Sequence, residues 1–176
     1  MNEVNIMILG DGNVGKTSIL LRYFINKYED QPQGIEDEYE KTTEINGRQM
    51  KIRAYENCGE SDPYDPNYIY KYYEKCDGAI FVFDITNIKS IDHYFDHIYN
   101  FFKKSRKKFF FSIAANKVDL QNNFNESEIK KIEEKYKCKV IRISAKKNIN
   151  IDYLFQETIN KIINQHSNHS TKCMIE

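Results

Sequence analysis

The 176-residue chain lacks an excess of either charge, with 26 Lys and Arg against 26 Asp and Glu. Bulk electrostatic binding to nucleic acid, which grows with the number of phosphates neutralised, is therefore not expected. Paired cysteines are lacking too. Cys58, Cys76, Cys138 and Cys173 stand apart without C-x-x-C spacing. That pattern argues against a disulfide framework or a zinc site and fits a reducing compartment. No apolar run approaches the length of a membrane-spanning helix. Glu3 stands where a secretory signal would be basic, so the start does not read as a leader. Pro32, Pro63 and Pro66 are the only prolines, and they fall in two polar stretches, 28–40 and 56–67, that read as loops. His93, His97, His166 and His169 form no metal-ligand constellation. The length suits one domain with a sizeable core, residues 1–163, followed by a polar, flexible tail, 164–176.

What is present is a regular alternation. Residues 4–9, 79–83 and 109–115 are apolar runs of strand length, as in strands buried on both faces, and 139–143 is a shorter one. Residues 42–45 and 48–55 flank Asn46-Gly47, a strong hairpin signal. They should pair antiparallel, with Met50, Ile52 and Ala54 inward and Lys51, Arg53 and Tyr55 on a wetter face. Helical spacing marks 17–26, with Leu20, Leu21 and Phe24 sharing a face, and 68–76. A third helix is capped by Ser90 and carries Ile91, Phe95, Ile98 and Phe102 on one side. Two more cover 127–137, anchored by Ile129, Ile132 and Tyr136, and 150–163, with Ile151, Leu154, Phe155, Ile159 and Ile162 inward. The pattern implies an α/β fold: a six-stranded, mostly parallel sheet with one antiparallel hairpin strand and helices on both faces. Ligands of such sheets gather beyond the carboxyl ends of the strands.

Three motifs fall at those ends. Gly10-Asp11-Gly12-Asn13-Val14-Gly15-Lys16-Thr17 follows the first strand and matches G-x-x-x-x-G-K-[ST]. Its glycines let phosphate oxygens lie against the backbone, and successive N–H groups with the helix N-terminus meet the anion. Lys16 can reach the outer phosphates, and the Thr17 hydroxyl suits Mg²⁺. Asn116-Lys117-Val118-Asp119 follows the fifth strand, as N-K-x-D. Ser144-Ala145-Lys146 follows the sixth. A ligand-free glycine turn, or a P-loop kinase or ATPase, accounts for the first motif but gives no reason for the other two.

In this order, over about residues 4–163, the motifs resemble those of the small GTPases of the Ras superfamily. The resemblance implies the P-loop GTPase fold, GTP and GDP as ligands, Mg²⁺, and a monomeric switch that hydrolyses GTP. It also implies effector proteins, an exchange factor and a GTPase-activating protein as partners, in the cytoplasm or at the cytoplasmic face of a membrane. It assigns nucleotide contacts to Asp11, Gly12, Asn13, Val14, Gly15, Lys16, Thr17, Ser18, Tyr28, Gly59, Asn116, Lys117, Asp119, Ser144, Ala145 and Lys146. By resemblance, Asn116 ties the base loop to the P-loop, the Lys117 stem covers one face of the base, and Tyr28 stacks on it. The Ala145 N–H faces the guanine carbonyl. The chemistry agrees at Asp119, whose carboxylate can accept from guanine's ring N–H and exocyclic amine, an arrangement adenine does not offer. Losing such a buried charge-assisted pair costs roughly 2–5 kcal/mol.

Among the subfamilies the chain resembles the Ras-like one, with some Rab-like features. Ile35, Glu36, Asp37, Glu38 and Tyr39, within 31–41, resemble the Ras-subfamily effector segment, whereas Asp84-Ile85-Thr86 and Tyr72-Tyr73 look Rab-like. The 24 residues between Asp119 and Ser144 are too few for the extra Rho helix. Asn2 in place of glycine removes the myristoylation route of Arf-like members.

Three positions depart from the family pattern. Gly34 stands where a Mg²⁺-ligating threonine is expected; Thr42 and Thr43 belong to the hairpin strand and do not replace it. Glu56 replaces the aspartate that serves Mg²⁺, with an extra methylene that a backbone shift must absorb. Glu60 replaces the glutamine that orients the attacking water, while Gly59 is retained. With Lys16, Glu60 is the expected catalytic residue, and Thr17 with Glu56 are the expected metal residues. Glu60 can accept a hydrogen bond from water, yet it stands near phosphate charge. At ~5 Å and an effective dielectric of about 20, each unit of like charge costs roughly 3 kcal/mol. Slow hydrolysis is expected, or at the extreme a nucleotide-binding interaction module with little hydrolysis.

Cys173-Met174-Ile175-Glu176 has the C-a-a-X form of a prenylation site, although Glu176 is an unusual last residue and a plain cysteine is the alternative. One prenyl chain binds membranes only marginally. The run Lys103-Lys104-Ser105-Arg106-Lys107-Lys108 would supply a second signal against anionic lipid, or is simply a solvated turn.

Overall fold

Alternation within β1 (Glu3–Leu9) divides the core in two, because successive strand side chains point to opposite faces. Val4, Ile6 and Ile8 enter one apolar cluster, and Met7 and Leu9 the other. In this computed structural model, residues 2–32, 38–56, 72–104, 109–120 and 125–167 are described. The sheet between the two clusters has six strands in the order β2-β3-β1-β4-β5-β6. The others are β2 (Glu38–Ile45), β3 (Arg48–Glu56), β4 (Gly78–Asp84), β5 (Phe110–Asn116) and β6 (Val140–Arg142). Among the described strands of this sheet, β2 and β3 pair antiparallel, through the Asn46-Gly47 turn, and the other pairings are parallel.

Helices cover both faces. On the first lie α1 (Lys16–Ile25) and α4 (Ile151–Ser167); on the second lie α2 (Asp92–Lys104) and α3 (Glu126–Tyr136). The expected inward residues of α2, α3 and α4 are all buried. Asn125 caps α3 by accepting from the Glu128 N–H at 3.4 Å.

Several local expectations are corrected. The buried residues of α1 are Ile19, Leu20 and Tyr23, while Leu21 and Phe24 only pack against the rim. The Tyr23 ring stacks on Phe155 of α4, with centroids 3.6 Å apart and planes 5° off parallel, so the docking helix selects the face. Strand β2 starts at Glu38 instead of Thr42, because Glu38 to Lys41 continue the ladder against Tyr55 to Ile52. Tyr55 is buried in the second cluster and not on a wet face, with its ring 5.6 Å from that of Tyr72. Ser90 falls inside a 3-10 turn, Ile88–Ile91, that precedes α2. Of the expected helix 68–76, only 72–75 are described, and they are helical. Helix α4 runs on to Ser167, beyond the turn to polar composition at Asn164. Cys76 and Cys138 are buried and not disulfide-bonded. No helix among the described residues is long and apolar enough to cross a membrane.

Candidate nucleotide site

Parallel pairing sets the carboxyl ends of β1, β3, β4, β5 and β6 along one edge. Leu9, Glu56, Asp84, Asn116 and Arg142 are their last residues. The P-loop leaves β1 there. Gly10 has φ +148°, and a Cβ on it would lie 2.2 Å from the Val82 carbonyl oxygen of β4. Gly15 has φ +95°, and a Cβ there would lie 2.4 Å from Asn116 Nδ2. Both positions therefore demand glycine, for backbone geometry and for space. Gly15 supplies no side-chain cap to α1, and the first turn of α1 has no acidic residue. Its opening N–H groups thus face a region suited to an anion.

Lys16 Nζ donates to the carbonyls of Gly10 (2.9 Å) and Asp11 (3.0 Å), folding over the loop it closes. Thr17 Oγ1 donates to Glu56 Oε1 at 2.7 Å. Glu56 is 4 % exposed and stays in register with Ile8. The strand is unbroken there, and the carboxylate meets the threonine hydroxyl directly. Ser18 Oγ donates to the Glu29 carbonyl at 3.3 Å.

Asn116 joins this cradle to the base-side loops. Its Nδ2 donates to the Val14 carbonyl at 2.9 Å, and its Oδ1 accepts the Ala145 N–H at 3.2 Å. In that second bond the Ala145 N–H points at Asn116. Asp119 Oδ1 accepts from Ser144 Oγ at 2.5 Å, and Ser144 Oγ in turn accepts the Lys147 N–H at 2.9 Å. Lys117 adopts φ +68°. Its Nζ donates to the Asn13 carbonyl at 2.7 Å and pairs with Asp84 Oδ2 at 2.7 Å. Asp11, Gly12 and Asn13 are exposed at the mouth, and Val14 is buried beneath them.

Three further residues lie outside the P-loop, N-K-x-D and S-A-K motifs. Asp84 Oδ1 accepts from the Thr86 N–H (2.9 Å) and hydroxyl (2.7 Å) while its other oxygen holds Lys117. Burial raises the Asp84 pKa, but the hydrogen bonds from Lys117 and Thr86 outweigh it and hold the carboxyl below its usual range. The D-x-T spacing fits such a turn and was the available signal. Arg22 of α1 donates from Nε to the Ala145 carbonyl at 3.0 Å and from Nη2 to the Lys146 carbonyl at 3.4 Å. Asp30 accepts from the Tyr28 hydroxyl at 2.7 Å and pairs with Lys146 Nζ at 3.4 Å. Nothing in the sequence announces either of these two. Gly34, Ile35, Glu36, Asp37, Gly59, Glu60 and Cys173 lie outside the described residues.

The donors suit Mg²⁺. Among the described residues no three His, Cys, Asp or Glu gather to hold a metal by themselves. A threonine hydroxyl and one carboxylate beside a phosphate cradle are the hard oxygen set that Mg²⁺ uses when phosphates and water complete its shell.

A phosphate cradle fixed through one buried amide to a carboxylate-bearing loop, at the carboxyl edge of a parallel sheet, defines a P-loop nucleotide-binding protein. The sequence profile of the Ras family matches residues 5–164, and the chain belongs to that family. It is 27 % identical over 180 residues to the Ras-like protein rasS of Dictyostelium discoideum, covering 96 % of this chain and 90 % of that protein. It is 31 % identical over 166 residues to the Ras-related protein Rab-21 of Bos taurus, covering 90 % and 72 %. A third relative, the Ras-like protein rasU of Dictyostelium discoideum, is 30 % identical over 182 residues, covering 96 % and 79 %. The chain is thus a small GTPase of the Ras superfamily, and the family in general binds GTP or GDP with Mg²⁺.

Proposed function

We propose that this chain is a guanine-nucleotide switch whose binding apparatus is complete and whose GTP hydrolysis is slow. The observation that carries the reading is the double engagement of Asn116, which fastens the P-loop to the loop of Ala145. Phosphate and base recognition are thereby held as one piece. In this reading the N–H groups of 12–18 meet the phosphates, and Lys16 turns from its carbonyl partners to the outer phosphate oxygens. Asp119, oriented by Ser144, accepts from guanine, while the Tyr28 ring and Lys117 stem flank the base. Thr17 and Glu56 hold Mg²⁺, which when bound supplies neutralisation of charge on the phosphate oxygens.

Slow hydrolysis rests on Gly34, Glu56 and Glu60. The first removes a metal ligand, and the last replaces an amide donor by a carboxylate beside phosphate charge. Glu38 and Tyr39 open the edge strand β2, so effectors would engage that edge together with Ile35, Glu36 and Asp37. A prenyl group on Cys173 would bring the monomer to the cytoplasmic face of a membrane. Exchange and GTPase-activating proteins would act on the nucleotide state, in signalling or trafficking.

Single-turnover GTP hydrolysis by the purified chain, with and without Mg²⁺, tests the reading. Stoichiometric, Mg²⁺-dependent binding is expected, with hydrolysis at least about tenfold below an ordinary Ras-like rate. Gly34→Thr with Glu60→Gln should raise that rate; an ordinary rate in the unaltered chain would sink slow hydrolysis.

A further inference from the structure

Among the described residues, side chains fasten the loop that leaves α1 to the loop that follows β6. Asp30 is the middle of the fastening. Its Oδ1 accepts the Tyr28 hydroxyl at 2.7 Å and lies 3.4 Å from Lys146 Nζ. Lys146 Nζ and the Arg22 guanidinium carbon each lie 5.9 Å from the Tyr28 ring centre, so the ring is flanked by two cations. Arg22 holds the other side of the circuit, donating to the carbonyls of Ala145 and Lys146. The circuit runs from α1 through Arg22 to the 145–146 backbone, out along Lys146 to Asp30, and back through Tyr28 toward α1.

We infer that Asp30 is a positioning residue for nucleotide retention: by joining the Tyr28 hydroxyl to Lys146 it latches the loop after α1 across the base side of the site. The inference rests on the guanine-nucleotide reading above and adds its control of exchange. A phenylalanine at position 28 could flank a base equally well, but it could not engage Asp30. The hydroxyl thus converts a ring contact into a strap between two loops. The latch is exposed, with the Asp30 side chain 73 % and the Lys146 side chain 47 % accessible. Exposed ion pairs are weak and open readily. That suits a device that times release more than one that holds the fold. The Tyr28–Asp30 bond, with an ionised acceptor, is its stronger half. The same bond lowers the Asp30 carboxyl below its usual range, helped by Lys146.

The test is the dissociation rate of a fluorescent GDP analogue from the full chain in Mg²⁺, chased with unlabelled GDP. Asp30→Ala and Tyr28→Phe should each speed release about three- to tenfold. The double variant should be no faster than the faster single, because both break one connection. Asp30→Asn, which keeps an acceptor for Tyr28 but loses the charge, should fall between Asp30→Ala and the unaltered chain. A purely structural role would move the urea midpoint with the rate, whereas the latch predicts a changed rate at an unchanged midpoint in the nucleotide-free protein. Unchanged release from Asp30→Ala overturns the latch, as do single effects that multiply in the double variant. Failure of the unaltered chain to hold the GDP analogue would overturn the guanine reading and the latch with it, and that result is separable because it appears before any variant is made.

Discussion

Both ends of the Asn116 amide are engaged, in a side chain only 3 % exposed. Truncating it strands a buried carbonyl at Val14 and a buried N–H at Ala145. Each stranded group costs about 1–3 kcal/mol, so Asn116→Ala should lower the unfolding free energy by about 2–6 kcal/mol in urea titration. GDP retention should weaken with it. Asp119→Ala strands the buried Ser144 hydroxyl, at a cost of about 1–3 kcal/mol, and should in addition remove the preference for GDP over ADP, read as the ratio of their dissociation constants; a preserved ratio would refute the base-reading role. At Asp84 the lever is pH. Its folded pKa is lowered, so the native carboxylate holds fewer protons than the unfolded one as the solution is acidified. Its stabilisation is present above the ordinary aspartate value, about 3.9, and is lost as pH falls through the lowered native value. Asp84→Asn should therefore be less stable at pH 7 and converge with the unaltered chain as pH falls through the lowered native value. Motif residues such as Asn116 were legible because their spacing is local. Asp30 and Arg22 were not, because their partners lie 116 and 124 positions away on another loop.

At the scale of elements, period and punctuation located nearly every strand and helix, and packing decided the rest. The residues of α1 allow either of two apolar faces, and the stack of Tyr23 on Phe155 chooses between them. Similarly, Glu38-Tyr39-Glu40-Lys41 has no apolar run to announce a strand. Pairing with β3 makes it one, stabilised by Arg53 between Glu38, Glu40 and Glu3 and by Lys51 on Glu40. The tightest crossing is β1 into the P-loop over β4. Because the obstacle at Gly10 is the Val82 carbonyl and not a flexible side-chain end, neither partner can yield cheaply. Gly10→Ala should cost about 3 kcal/mol or more and depress both the thermal midpoint and GDP binding. A variant as stable as the parent would mean that β1 and β4 part more easily than their pairing implies.

Across the whole molecule, the architecture was legible because an α/β alternation with one hairpin leaves few ways to bury two apolar faces. What it did not disclose is how much the seam between α1, β2 and α4 depends on protonation. Burial and then the charge of Asp152 push the Tyr23 hydroxyl pKa upward, and burial followed by Asp30 pushes Tyr28 up to about 12. Lys41 lies in the same seam, its Nζ 3.4 Å from the Tyr23 ring centre and donating to the Tyr23 carbonyl at 2.7 Å. A tyrosine with a raised native pKa keeps its proton longer folded than unfolded. Its contribution is complete below the ordinary value near 10 and is lost as pH rises above it. Burial lowers the Lys41 pKa, so folding releases its proton early and the effect runs the other way. The two must be separated by substitution. Tyr23→Phe keeps the ring, the stack on Phe155 and the backbone carbonyl that receives Lys41, and removes only the titration. For a well-buried group the slope approaches about 1.4 kcal/mol per pH unit; Tyr28, only partly buried, adds less. Urea midpoints at pH 9, 10 and 11 should therefore fall more steeply in the unaltered chain than in Tyr23→Phe, the curves diverging only above pH 10. Parallel curves through that range would show that the seam tolerates a tyrosinate at position 23, and that solvent reaches deeper between α1 and α4 than the ring stacking implies.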